Sequence, residues 1–81
     1  MEWKDKNVLV IGTGISGIAA SNLLTEVGAK VVLFDANEAI DKDVVKEKLN
    51  KADDVQVIVG TLEEKDREQI EYVVKIGRAH V

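Results

Sequence analysis

The sequence contains neither cysteine nor proline, and it has one histidine among its 81 residues. Without cysteine it can form neither a disulfide nor a thiolate metal site, and one histidine cannot make a histidine cluster. The formal net charge is −4, and Lys and Arg are not concentrated in any segment, whereas nucleic acids and membrane surfaces attract a dense cationic patch. We therefore expect no metal site, no nucleic-acid partner and no membrane partner.

Long apolar runs are also missing. The longest apolar segments are residues 8–11 and 31–34, and both are far shorter than the roughly 20 residues that cross a bilayer. The opening Met1-Glu2-Trp3-Lys4-Asp5 does not have the character of a signal peptide. Together with a hydrophobic content of 46% and mixed charges at 32%, this predicts a folded cytoplasmic domain.

Short β-branched segments alternate with segments of helical period. The strand-like segments are residues 7–11, 30–34, 55–59 and 72–74. The order β-α-β-α-β-α-β is typical of parallel strands joined by right-handed crossovers. It predicts an α/β fold, a Rossmann-like open parallel sheet with flanking helices, present here as a partial domain of about four strands.

The expected helices have recognisable ends. The first helix begins near Ser16, and Gly28 stands where a left-handed C-cap is wanted. Its expected buried stripe consists of Ala20, Leu23, Leu24 and Val27. The second helix is expected to close near Lys51, and Thr61 and Glu64 have the spacing of a capping box for the third.

A glycine-rich loop joins the first strand to the first helix. It reads Gly12-Thr13-Gly14-Ile15-Ser16-Gly17, a G-x-G-x-x-G pattern in its strand-to-helix context. Gly12 permits a tight turn, Gly14 lets a phosphate approach the backbone, and Gly17 lets the helix press against the strand. Ser16 can act as the helix N-cap, as a phosphate contact, or as both. The loop predicts an anion site, although such glycines can also serve a tight turn without a ligand.

An acid ends the second strand. Asp35 lies 18 residues after Gly17, where a carboxylate can accept hydrogen bonds from a ribose hydroxyl or a base N–H. It can also simply form an Asx turn, and Asn37 can be a turn former or a helix cap as well as a ligand contact. The glycine loop favours a binding role for Asp35.

Catalytic machinery is not evident in these residues. The charged run at residues 63–68 is typical of a solvated helix face, and neither a Ser-His-Asp order nor a G-x-x-x-x-G-K-[ST] loop occurs. Trp3 and Tyr72 are interpreted as packing residues at the sheet margin.

The stretches at residues 3–20 and 28–35 resemble the first domain of the Mur ligases, and among these the branch that adds D-glutamate to UDP-N-acetylmuramoyl-L-alanine. The resemblance runs from about Trp3 to about Val74. It implies that a Rossmann-like domain holds UDP, with the loop at the diphosphate and Asp35 by the uridine. The candidate UDP-binding residues are Gly12, Gly14, Ile15, Ser16, Gly17, Asp35 and Asn37.

The resemblance also implies what the remainder of such an enzyme does. Two further domains would bind ATP with magnesium and D-glutamate, and the monomeric, cytoplasmic ligase would form an amide bond in peptidoglycan synthesis. The present chain alone is expected to be inactive. The first half of an NAD- or FAD-dependent oxidoreductase uses the same loop and acid, so it remains the alternative. A stand-alone nucleotide sensor is disfavoured, because four strands would leave a sheet edge unpaired.

The last residues depart from this resemblance. Residues 76–81, Ile-Gly-Arg-Ala-His-Val, look like the translation of a sequencing adapter. We therefore expect a truncated UDP-binding domain at residues 1–75, followed by a non-native tail at residues 76–81.

Overall fold

A computed structural model describes residues 2–75, and the segment expected to be non-native lies outside the described residues. Four parallel strands form one sheet in the order β3-β2-β1-β4. The strands are β1 (Asn7–Ile11), β2 (Lys30–Asp35), β3 (Val55–Val59) and β4 (Tyr72–Lys75). The predicted Rossmann-like α/β fold is confirmed, since this order is that of the first four strands of a dinucleotide-binding sheet.

One face of the sheet carries the core. Helix α1 (Ile15–Glu26) packs against β1 and β2, and α2 (Lys42–Glu47) packs against β3. Alternate side chains of the three strands point into this layer, as the period of two requires. These buried residues are Val8, Val10, Val31, Leu33, Val55 and Val57. Leu9 on the opposite face is also buried, which fits a central strand, whereas Val73 on the edge strand β4 is 59% exposed.

The buried face of α1 differs from the expected stripe. Leu24 is buried, but Leu23 is 64% exposed and Val27 is 47% exposed. The buried face is instead built on small residues, Gly17, Ser21 and Thr25, which follow one another at intervals of four. The hydroxyl of Ser21 donates to the carbonyl oxygen of Gly17 at 2.8 Å, and that of Thr25 donates to the carbonyl oxygen of Ser21 at 3.0 Å. Because these hydroxyls are satisfied on the helix itself, small polar residues can be buried and the helix can lie close to the sheet.

The predicted C-cap of α1 is present at Gly28. This residue has φ of +91°, and its amide donates to the carbonyl oxygen of Thr25 at 3.1 Å. The amide of Ala29 donates to the carbonyl oxygen of Leu24 at 3.0 Å. These two hydrogen bonds form a Schellman motif, which turns the chain directly into β2.

Helix α2 ends earlier than expected, at Glu47, and a short 3₁₀ turn (Ala52–Asp54) leads into β3. The side chain of Asn22 on α1 explains the early end. Its Oδ1 accepts from the amide of Asn50 at 2.9 Å, and its Nδ2 donates to the carbonyl oxygen of Lys48 at 3.4 Å. Asn22 thereby binds backbone groups just after α2, and Lys51 lies outside the helix.

The expected capping box of the third helix is wrong. Helix α3 (Glu64–Glu68) has Glu63 as its N-cap, and its first turn closes through the amide of Arg67, which donates to the carbonyl oxygen of Glu63 at 3.1 Å. Thr61 lies two residues too early to cap this turn. It belongs to the loop that Gly60 begins with φ of +92°.

The two aromatic residues assigned to packing contact each other. The rings of Trp3 and Tyr72 lie edge to face, with centroids 5.4 Å apart and planes 69° apart. Both are half-buried against the core, so they join the segment before β1 to β4. Among residues 2–75, the helices are all too short or too polar to span a bilayer.

Candidate functional site

The carboxyl ends of three strands meet at one edge of the sheet. Gly12 follows β1, Asp35 ends β2, and Gly60 follows β3. Strand β1 is the point where the strand order reverses, since β2 lies on one side of it and β4 on the other. In open α/β sheets a ligand crevice lies outside the strand ends at such a point. The fold therefore places the predicted loop and the predicted acid at the same edge.

Gly12 and Gly17 serve the fold. Gly12 has φ of +110°, and its amide donates to the carbonyl oxygen of Phe34 at 2.7 Å, so it extends the β1–β2 pairing into the turn. A Cβ at Gly17 would lie 1.8 Å from the carbonyl oxygen of Gly12 and 2.8 Å from its carbonyl carbon. Because both neighbours are backbone atoms, only glycine fits at position 17 while the helix keeps its place.

Gly14 is different. It has φ of −72° and ψ of −173°, which residues with side chains adopt readily. A Cβ built there would meet nothing within 4 Å, because the space beside it is open. Neither backbone conformation nor packing requires a glycine at this position.

Helix α1 begins with amides that the described protein leaves open. Its first helical hydrogen bond runs from the amide of Ile18 to the carbonyl oxygen of Gly14 at 3.0 Å. Within residues 2–75, no hydrogen-bond partner accepts from the amides of residues 14–17. Ser16 is exposed in the first turn and is not the N-cap, since Gly14 takes that place without a side-chain hydrogen bond. These amides and the positive end of the helix dipole form a surface suited to an anion.

Asp35 connects the two loops. Its Oδ2 accepts from the amide of Thr13 at 3.2 Å and from the hydroxyl of Thr13 at 2.8 Å. Its Oδ1 accepts from the amide of Asn37 at 2.9 Å, which is the predicted Asx turn. These donors, first the Asn37 amide and then the Thr13 hydroxyl, hold the pKa of Asp35 below its ordinary value. The carboxylate is therefore charged at neutral pH.

Asn37 is a turn former in this structure. Its Oδ1 accepts from the amide of Ala39 at 3.0 Å. The side chain is exposed and lies after the end of β2, two residues beyond the acid.

An open groove of about 510 Å³ borders the glycine loop. It runs from Thr13 and Gly14 along the mostly apolar side of α1, past Ile15, which is 91% exposed, to Lys48 beyond α2. A second cavity of about 340 Å³ lies at the opposite edge of the sheet, among the starts of β1, β2 and β3. We place the candidate site at the glycine loop, because that edge also presents open amides and a charged carboxylate.

Comparison with protein families supports the Rossmann-like fold. A family model described as alanine dehydrogenase/PNT, C-terminal domain, matches residues 2–81. The chain belongs to this family.

Among curated proteins, the chain is similar to UDP-N-acetylmuramoylalanine–D-glutamate ligases. The ligase of Lachnospira eligens is 46% identical over 76 residues, that of Lachnoclostridium phytofermentans is 39% identical over 74, and that of Lactobacillus helveticus is 40% identical over 75. These alignments cover 90 to 91% of this chain and 16% of each ligase. The predicted resemblance to the Mur ligases is confirmed, and the chain spans about one sixth of the length of these relatives.

The structure brings together all seven residues predicted from the sequence, at the ends of β1 and β2 and at the start of α1. Sequence reasoning missed Thr13, whose amide and side chain both contact Asp35. A weak signal existed: a hydroxyl residue stands between two glycines after one strand, and an acid ends the next. The contact follows from the parallel pairing of those strands, which brings Ile11 opposite Phe34.

Proposed function

We propose that this chain is the amino-terminal, UDP-binding domain of a ligase that joins D-glutamate to UDP-N-acetylmuramoyl-L-alanine. The observation that carries the proposal is Gly14, because neither its backbone conformation nor its packing requires a glycine there. A glycine that sterics do not require is explained if the diphosphate of a ligand comes against the backbone. Any side chain at position 14 would occupy that space.

The neighbouring groups suit the rest of a nucleotide. The amides of residues 15–17 would donate to phosphate oxygens, and the exposed hydroxyl of Ser16 would add one further donor. Asp35 has both oxygens engaged, but a carboxylate offers about four acceptor positions, and three are used. Its Oδ1 retains capacity for a hydroxyl or N–H of the uridine, with Asn37 close by.

The relatives support the same substrate, because their shared name contains a UDP-linked muramoyl alanine and a D-glutamate. That name denotes a ligase and does not favour the oxidoreductase alternative. In the proposed reaction, the carboxylate of the alanine takes the γ-phosphoryl group of ATP with release of ADP, and the amine of D-glutamate attacks the resulting acyl phosphate, which forms the amide and releases phosphate. The proposal locates this cytoplasmic step of cell-wall synthesis in a monomeric enzyme.

ATP, magnesium and D-glutamate would be bound by parts of the ligase other than this chain. Residues 2–75 contain no group of three or more His, Asp or Glu side chains placed to hold a metal ion. The role of the described residues is to bind and orient the UDP end of the substrate, and the chain alone is expected to be inactive.

Calorimetric titration of the purified chain tests this proposal, with UDP, UDP-N-acetylmuramoyl-L-alanine and NADH as ligands. We expect both UDP compounds to bind more tightly than NADH. The Gly14→Ala variant should fold like the unsubstituted chain but bind UDP more weakly, because the new methyl group lies where the diphosphate would pass. Tighter binding of NADH, or unchanged UDP affinity in Gly14→Ala, would contradict the proposal.

A further inference from the structure

Thr13 is the one residue with a side chain between the end of β1 and the N-cap of α1. It stands between Gly12 and Gly14, which offer no side chain to fix the loop, and glycine-flanked segments lose the most conformational freedom on ordering. The position of this loop decides where the first amides of α1 begin. Whatever fixes Thr13 therefore bears directly on the proposed anion site.

Asp35 holds Thr13 by two atoms. The amide and the hydroxyl of Thr13 both donate to Oδ2, at 3.2 and 2.8 Å, across 22 residues of sequence. The carboxylate is itself fixed from the other side by the amide of Asn37 at 2.9 Å. We call these three hydrogen bonds the Thr13–Asp35 clamp. They connect the loop after β1 to the loop after β2.

The clamp has two consequences for an anion. It turns the amide of Thr13 toward Asp35, so this donor is used within the protein and the open amides are those of residues 14–17. It also directs two donors onto the carboxylate, which stays charged, and these donors partly offset its repulsion of a nearby diphosphate. Binding is stronger when such donors are fixed in advance, because less freedom is lost on association.

We propose that Thr13 is a positioning residue for the nucleotide: through its hydroxyl it fixes the glycine loop to Asp35, so that the open amides of α1 stay directed at the diphosphate. This inference rests on the proposed function, and it assigns to Thr13 no contact with the ligand.

The test compares Thr13→Val, which keeps the shape but removes the hydroxyl, with Thr13→Ser, which keeps the hydroxyl. Thr61→Val is the matched control, since Thr61 is exposed and its side chain makes no hydrogen bond within residues 2–75. UDP affinity is measured by calorimetry. The mobility of the loop amides is measured by ¹⁵N relaxation without ligand, and folding is checked by urea denaturation.

We expect Thr13→Val to bind UDP on the order of ten-fold more weakly, the size of effect that a lost hydrogen bond to a charged group gives. Its amides at residues 14–17 should be more mobile, while Thr13→Ser and Thr61→Val should match the unsubstituted chain in both measurements. Unchanged loop mobility in Thr13→Val, or weak binding in Thr13→Ser, would overturn the inference. If the unsubstituted chain does not bind UDP, the proposed function fails, and the relaxation data still decide whether Thr13 fixes the loop.

Discussion

Replacing Gly17 by alanine should destabilise the fold severely. The added Cβ would lie 1.8 Å from the carbonyl oxygen of Gly12. To restore ordinary contact, helix and loop must separate by roughly 1.5 Å, and no side-chain rotation can relieve a clash with backbone. The separation would also disturb the buried contact of α1 with Leu33, whose Cδ1 lies 3.6 Å from the same Cβ position.

The size of the effect follows from overpacking costs. An added methyl group in a packed site costs about 1–3 kcal/mol, and a rigid backbone neighbour puts this case at or above about 3 kcal/mol. The free energy of unfolding of a chain of this length is about 4–12 kcal/mol, so Gly17→Ala would remove a large share of it. Gly14→Ala is the matched control, because the same group added three residues earlier meets open space.

Urea denaturation followed by the fluorescence of Trp3 measures this difference. With a slope of about 1 kcal/mol/M, the midpoint of Gly17→Ala should fall by about 3 M, or the variant should not fold at all. The Gly14→Ala midpoint should stay within about 1 M, since a poorer N-cap is offset by a less flexible unfolded chain. Equal midpoints for the two variants would refute the assignment of Gly17 to packing and of Gly14 to the ligand.

Three further predictions concern the groups around the site. Gly28→Ala should cost about 1–2 kcal/mol in urea denaturation, because its φ of +91° disfavours any Cβ, and Gly28→Asn should cost less; equal costs would contradict this. Since the folded pKa of Asp35 is lowered, its contribution to stability is complete above the unfolded pKa of about 3.9 and is lost as pH falls through the folded pKa. In denaturation across pH 2–6, the free energy of unfolding of Asp35→Asn should therefore fall less toward low pH than that of the unsubstituted chain. Parallel pH curves for the two proteins would refute this prediction. Asn22→Ala should lower the free energy of unfolding by about 1 kcal/mol and speed hydrogen exchange at the amide of Asn50. Unchanged exchange at this amide would show that its protection has another source.

The strands could be predicted almost to the residue, whereas the helix ends could not. Residues 7–11 and 55–59 are β1 and β3 as predicted, because short β-branched runs between turn residues have few other structures open to them. Helix α2 ends at Glu47 because Asn22, on another helix, binds the backbone after it. A pattern read along one segment contains no information about such a contact.

The same limit applies to the buried face of α1. Leu23 fits a helical apolar stripe, yet the sheet takes the small residues Gly17 and Ser21 because they allow close approach. The glycine pattern and the structure indicate the same candidate site, since each glycine position has a distinct mechanical reason. The Thr13–Asp35 clamp could not be predicted from that pattern, which leaves the identity of residue 13 open.

The most direct test of the account maps UDP binding onto individual backbone amides. In ¹H–¹⁵N spectra of the labelled chain titrated with UDP, the amide signals of residues 14–17 should shift most, with smaller changes near Asp35. The signals of β3 residues 55–57, at the opposite edge of the sheet, should stay in place. Shifts concentrated at that opposite edge, or none at the glycine loop under saturating UDP, would contradict the claim that open amides at the start of α1 receive the diphosphate.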